Sequence, residues 1–342
     1  MSQTSVEQGT RGTPAVLSLP DASERLREAL QGGLDAVNAL IEQRVSNDDP
    51  FISRASAHLA EAGGKRFRPL LTLLAAEVGD GVNDKVVAAA AGVELTHLAS
   101  LYHDDVMDEA SVRRGAVSAN AAYGNSTAIL VGDLLFGTAS DIVADLGPQA
   151  VKIQAQTFVR LCSGQIRDDR PCPDGVDPVD YYLGVLADKT GVLIATAARY
   201  GAMFAGCEDV VVETMAEFGE RLGVAFQLAD DLIDIESEAD ESGKTPGTDL
   251  REGKRTLPVL HVLASQDPDD EPLKALLRGD LTDDADLTEA LRLLRVHPAM
   301  ARAREHTHLV ARQAQDVLAT LPESDAKRAL HALATGVVTR AG

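Results

Sequence analysis

"VVAAAAGVELTHLASLYHDDVMDEASVRRG", Val86 to Gly115, passes from a long apolar run into crowded charge. Ala and Leu dominate the run, and both are strong helix formers. If the helix continues to its acidic end, Asp104 and Asp108 lie four residues apart on one face, and Asp105 lies three from Asp108. Carboxylates so placed repel one another, so something must neutralise them.

A second copy of this spacing lies far along the chain. "FQLADDLIDI" holds Asp230, Asp231 and Asp234 in the same D-D-x-x-D pattern, again at the end of an apolar helical run. One such cluster is as readily a solvated helix end as a site; two at identical spacing favour a site. If the two helices face each other, six carboxylates converge. Hard carboxylate oxygens suit Mg²⁺, which takes one or two protein carboxylates together with waters and substrate phosphates. The "ELTH" segment (Glu94, His97) also reads as an E-x-x-H, but a di-iron bundle needs that motif on paired helices and it occurs once.

Around this stretch the chain reads as helical throughout. Of 342 residues, 45% are apolar and only 4% aromatic, with no Trp. Periodicity predicts helices at about 119–145, 149–167, 178–206 and 208–236, then shorter ones near 256–264, 284–295, 299–320 and 324–338. Asp177 is the expected N-cap of the third, with Pro178 in its first position. No strand series appears. The expectation is an all-α, single-domain bundle of long helices around a central cavity over 21–342, preceded by a disordered tail at 1–20.

Lys and Arg total 32 against 53 Asp and Glu, a net charge of −21, which argues against nucleic-acid binding. The three cysteines form no C-x-x-C pair, which fits a reducing cytoplasm. The run at 86–101 is broken by Glu94 and His97, and no transmembrane segment is expected.

In so acidic a chain, basic clusters are informative. "EAGGKRFRP" places Lys65, Arg66 and Arg68 behind two glycines where a helix begins; Arg113 and Arg114 follow the first acidic motif. Lys189 and Thr190 lie in "ADKTG", and Lys244 and Lys254 follow the second motif. Singly these read as surface charges. Together they suggest two anion pockets, one reached through metal and one through Lys and Arg directly.

From "GGKRFRP" through "ELTHLASLYHDDVMDEASVRRG", "GDLLFG", "DKTG" and "GVAFQLADDLID" to "GKTPGTDLREGKRTLP", the chain resembles the trans-isoprenyl diphosphate synthases, or polyprenyl synthetases. The resemblance implies a Mg²⁺-dependent prenyltransferase that joins isopentenyl diphosphate to an allylic diphosphate (farnesyl or geranylgeranyl). Asp104, Asp108 and Asp230 match ligands of a three-magnesium cluster, with Mn²⁺ as an alternative metal; Asp105, Asp231 and Asp234 match partly water-bridged positions. Arg113, Lys189 and Lys244 match positions that hold the allylic diphosphate. Lys65, Arg68, His97 and Arg114 match the metal-free isopentenyl diphosphate pocket. Thr190 and Gln227 match residues lining the reacting carbon, and Lys254 lies near the allylic group. Arg66 reads as structural. A homodimer is expected on the same ground, as is transient membrane contact during release of an apolar product.

In that family, bulky residues four and five places before the first aspartate close the product tunnel early. Here those positions are Ser100 and Ala99, with Thr96 a further turn back, roughly 12 Å from Asp104 along the helix. The expectation is therefore a long product, about C35–C50 on this helix-rise argument, of the kind that serves as a quinone side chain. Phe136, or residues from a neighbouring helix, are candidates for the tunnel floor. The alternatives are a C15–C20 synthase, a class I terpene cyclase, and a non-catalytic partner subunit. A cyclase lacks the second D-D-x-x-D and the "GGKR" pocket, and such a subunit loses its acidic motifs.

Overall fold

The computed structural model describes residues 22–237 and 246–339, so the expected tail at 1–20 and Lys244 lie outside the described residues. The first half holds α1 (Glu24–Val45), α2 (Pro50–Glu61), α3 (Phe67–Ala76), α4 (Asp84–Met107), α5 (Ala119–Tyr123), α6 (Asn125–Ala144) and α7 (Pro148–Asp168). Then come α8 (Pro178–Leu186), α9 (Val192–Phe204), α10 (Asp209–Glu236) and α11 (Thr248–Arg251). The chain continues through α12 (Leu257–Leu263), α13 (Glu271–Arg278), α14 (Asp284–Val296), α15 (Pro298–Val317) and α16 (Asp325–Thr339). The all-α expectation holds; among the described residues the only sheet is a hairpin of β1 (Val112–Arg113) and β2 (Ala116–Val117).

The helices begin where side chains satisfy their first N–H groups. Asn83 accepts from Lys85 and Val86 at the start of α4, and Asp177 accepts from Val179 and Asp180 ahead of Pro178 at the start of α8. Two expected long helices are divided. The 119–145 segment breaks at Gly124, whose φ of 80° lies outside the helical region. The 178–206 segment carries a π-helical turn at Ala187–Gly191, where Lys189 and Thr190 lie.

α4 is the central helix. It buries residues around its circumference, from Val86 and Ala89 to Leu98 and Tyr102, as a helix enclosed on all sides must. It packs on α1, α3, α6 and α9, while α10 packs on α9 and α15. The α9–α10 side is close because small residues meet there: a Cβ on Gly223 would come within 2.7 Å of Gly191 Cα. Two apolar clusters fill the molecule. The larger joins α1, α3, α9, α10 and the C-terminal helices; the smaller lies between α1, α2, α4 and α6.

α6 is the one helix among the described residues that meets the length and composition of a membrane span, and 39% of its most apolar window is buried. Its Val131, Leu135 and Ala139 are buried, and the helix packs on α4. Ile129, Leu130 and Leu134 remain exposed.

Candidate active site

Each acidic motif ends its helix. Asp104 and Asp105 occupy the last turn of α4, whose C-cap is Asp108; Asp230, Asp231 and Asp234 occupy the last two turns of α10. Neither last turn contains a basic residue. The negative end of a helix dipole disfavours further negative charge, so these carboxylates sit where a folded chain gains least from them.

Within each motif the aspartates differ. Asp105 is fully buried and committed on both oxygens: Arg113 Nε donates to one at 2.6 Å and the Ala119 N–H to the other at 2.9 Å. Asp231 is its counterpart, accepting from the Tyr182 hydroxyl and, at 3.0 Å, from Gln227 Nε2. Asp234 accepts the N–H groups of Thr248 and Asp249 at the start of α11. Asp108 is exposed and lies 3.6 Å from Arg113. Burial pushes the Asp104 carboxyl up to about 6, against the pull of Lys189 and with the push of Asp108. Burial likewise raises Asp231 to about 7 and Asp249 to about 8, the latter helped by Asp231 and Asp234.

The two motifs share one electrostatic space. Lys189 acts on Asp104 and on Asp249, and Asp108 acts on Glu252, which follows α11. Among the described residues no three His, Cys, Asp or Glu side chains close into a ready-made metal cage. Carboxylates gathered at two helix ends, with Asp104 and Asp231 raised in pKa by burial, fit a hard divalent cation that completes its shell with water and phosphate oxygens.

Lys189 and Lys254 are joined by a residue that the sequence reasoning missed. Asp168, at the end of α7, receives Lys189 at 2.8 Å and Lys254 at 3.1 Å, and Asp169 receives Lys254 at 3.1 Å. Burial opposes ionisation of Asp168, but the two ammonium groups outweigh it and hold its pKa low. The available signal was a further Asp-Asp pair closing a long amphipathic helix, in "QIRDDRP". Thr190 donates to Gln227 at 3.2 Å, so the π-helical turn, Gln227 and Asp231 form one chain of hydrogen bonds. π-Helical turns gather at functional sites.

The second pocket is basic. The β1–β2 turn holds Arg114 (φ 54°) and Gly115 (φ 77°) in the left-handed region, as tight hairpins require. The hairpin thereby sends adjacent arginines to different places: Arg113 to Asp105 and Asp108, Arg114 to the Gly63 carbonyl and to His97 Nε2 at 3.4 Å. Gly64 makes this possible. A Cβ there would lie 2.6 Å from Arg114 Nη1, and its φ is +140°. Arg68 lines the same pocket with its Nε buried and unpartnered, and burial lowers its pKa to about 10. His97 is held well below its ordinary value by burial and then by Arg68, Arg114, Arg113 and Arg66. Lys65 is exposed. Arg66 is structural, paired with buried Glu94 at 2.8 Å, which also accounts for the "ELTH" glutamate. Phe226 on α10 packs on Phe67 of α3, with ring centroids 5.1 Å apart, and so joins the two pockets.

Of the tunnel residues, Thr96 lines a small chamber with Gly92, Val93, Val143, Gln154 and Tyr200. Ser100 is half-buried, its hydroxyl donating to the His97 carbonyl. Ala99 is buried in the smaller apolar cluster, on the other flank of α4. Phe136 stacks on Phe158 with centroids 3.9 Å apart and does not line the chamber.

The all-helical molecule sets an arginine–histidine pocket beside two acidic helix ends that share the influence of Lys189, a donor set suited to cations and anions together. The polyprenyl synthetase family model matches residues 49–294. The chain is 50% identical over 315 residues to a nonaprenyl diphosphate synthase of Mycobacterium tuberculosis, covering 92% of this chain and 94% of that one. Among solved structures it is similar to a decaprenyl diphosphate synthase from Rhodobacter capsulatus (TM-score 0.84, 36% identity, 93% of this chain and 99% of that one). It is also similar to a geranylgeranyl pyrophosphate synthase from Corynebacterium glutamicum, solved with calcium and isoprenyl diphosphate (TM-score 0.83, 41% identity, 94% and 98%). The chain belongs to the polyprenyl synthetase family and is a prenyltransferase.

Proposed function

We propose that the protein is a Mg²⁺-dependent synthase that extends an allylic diphosphate with successive isopentenyl units to a long all-trans polyprenyl diphosphate, about C35–C50 on the helix-rise argument. The observation that carries the reading is the pairing of two acidic helix ends with a separate arginine pocket. Half-identity to a nonaprenyl diphosphate synthase supports the length.

Asp104, Asp108 and Asp230 would hold the metal. When bound, Mg²⁺ neutralises the allylic diphosphate and makes it a good leaving group. Lys189 and Arg113 grip that diphosphate, with Lys254 close by through Asp168. Asp105 and Asp231, whose oxygens are already engaged, position Arg113 and Gln227. Thr190 and Gln227 present oxygen dipoles toward the carbon that becomes cationic. In the other pocket Arg68, Arg114 and a neutral His97 bind isopentenyl diphosphate directly, with Lys65 at its edge. The apolar walls keep water from the cation.

The exposed apolar residues of α6 and α7, among them Leu130, Val159 and Ile166, support a homodimer in which a second copy covers them. Unpaired Cys162, Cys172 and Cys207 accord with a reducing cytoplasm.

Condensation of labelled isopentenyl diphosphate with farnesyl diphosphate tests the reading. Activity should need a divalent cation and fall at least 100-fold in Asp104→Asn or Asp230→Asn, roughly 2.7 kcal/mol or more. Full activity with chelator present would refute it.

A further inference from the structure

Three consecutive residues of the π-helical turn at Ala187–Gly191 make three separate contacts. Lys189 reaches Asp168 at the end of α7, and Thr190 reaches Gln227 on α10. Asp188, just before them, is held by two arginines of α7. One of its carboxylate oxygens accepts from Arg160 Nε at 2.9 Å and the other from Arg167 Nη2 at 2.8 Å. Neither arginine belongs to the acidic motifs or to the basic pocket.

Arg160, Gly164, Arg167 and Asp168 lie on one face of α7 by helical spacing. Gly164 lets that face touch the turn. A Cβ there would stand 2.6 Å from the Lys189 backbone nitrogen and 2.9 Å from the Asp188 carbonyl carbon. On the α10 side, a Cβ on Gly191 would stand 3.1 Å from the Glu220 carbonyl oxygen. The turn is wedged between two helices, with backbone nearly against backbone at α7. Each arginine also has a second anchor. Arg167 donates to the Gly184 carbonyl at 2.8 Å and lies over the Tyr181 ring, and Arg160 pairs with Glu220 of α10.

π-Helical turns are rare single turns set into α-helices, and this one is fixed by its neighbours. The arginines are 44% and 40% exposed, and ion pairs so open to water add little to stability. What they fix is geometry. We propose that Asp188 is a positioning residue: bound to Arg160 and Arg167 across Gly164, it pins the π-helical turn to α7 and so sets where Lys189 and Thr190 meet the allylic substrate. The proposal rests on the roles given to Lys189 at the allylic diphosphate and to Thr190 at the reacting carbon. Asp188 itself touches neither substrate. Loss of Asp168 frees lysine side chains, whereas loss of Asp188 frees the backbone that carries Lys189 and Thr190 together. Binding and the chemical step should therefore both suffer.

The test compares the full chain with Asp188→Ala and Gly164→Ala, using Mg²⁺, farnesyl diphosphate and isopentenyl diphosphate. The first variant removes the anchor; the second keeps the anchor and pushes the turn off α7. Thermal melting establishes that each is folded, and Asp188→Asn, which keeps the shape and removes the charge, stands in if the alanine variant is not. In both alanine variants the allylic KM should rise about fivefold. The rate of the first addition in a single turnover should fall about 10-fold, within the roughly 100-fold that an ångström of misplacement can cost. The isopentenyl KM should stay within about twofold, since Arg68 and Arg114 are untouched. Equal changes in the two KM values, or normal kinetics in a folded Asp188 variant, would overturn the proposal. A full chain that never condenses the two substrates would sink the prenyl-transfer reading, and this proposal with it.

Discussion

Gly64→Ala should separate the two substrates kinetically. The new Cβ would stand 2.6 Å from Arg114 Nη1 and 2.8 Å from Cζ, so the guanidinium must leave its place between Gly63 and His97. A charge-assisted hydrogen bond to phosphate is worth about 1.5–3 kcal/mol. At about 1.4 kcal/mol per tenfold, the KM for isopentenyl diphosphate should rise about 10- to 100-fold. The KM for the allylic substrate, which on this proposal Lys189 and Arg113 would hold, should change little. Gly63→Ala is the internal control. Its φ is +88°, so it carries comparable backbone strain, but its Cβ meets nothing within 4 Å. Both variants should lose about 1–3 kcal/mol of stability, and only Gly64→Ala should lose isopentenyl affinity. Steady-state kinetics with each substrate varied in turn gives the answer. Equal KM changes in both variants, or none in Gly64→Ala, would refute the assignment of Arg114 to that pocket.

Asp105→Asn should act through structure: it removes the charge of a fully buried carboxylate paired with a partly exposed Arg113 and should lower stability by about 1–3 kcal/mol, which chemical denaturation would show. Asp168→Ala should release Lys189 and Lys254 together and raise the allylic KM about fivefold, close to 1 kcal/mol, with the isopentenyl KM unchanged; the reverse pattern would place Asp168 wrongly. Above about pH 6.5 the metal-free protein should lose stability as pH rises. Burial raises Asp104, Asp231 and Asp249 from 3.8 to about 6, 7 and 8, so at these groups the folded state binds protons more tightly than the unfolded and their stabilisation drains away between about pH 4 and pH 8. His97, His261 and His306, all lowered by burial, contribute with the opposite sign below about pH 6.5. The gain in melting temperature on adding Mg²⁺ and diphosphate should be larger at pH 8 than at pH 6, and a gain that shrinks with pH would contradict this.

Much of the site was legible because it is written in local spacing. The two D-D-x-x-D motifs, the Gly-Gly before Lys65 and the Asp177–Pro178 start of α8 each depend on neighbours in the sequence. What was not legible depends on distant partners. No spacing tells that Asp105 is sealed by Ala119 while Asp104 is not, or that Asp168 sits between two lysines from other segments. The π-helical turn at Ala187–Gly191 also escapes periodicity, since one extra residue per turn leaves the apolar pattern nearly intact. Ala99 and Thr96 look equivalent as small residues before Asp104; packing places one in the smaller apolar cluster and the other on the chamber.

The most direct measurement of the central claim is the length of the product made by the unaltered chain. Purified protein with Mg²⁺, labelled isopentenyl diphosphate and farnesyl or geranylgeranyl diphosphate should yield prenols of about C35–C50, as the small residues along α4 imply. A product that stops at about C15–C20 would keep the protein in its family but contradict the tunnel that runs past Ser100 and Thr96.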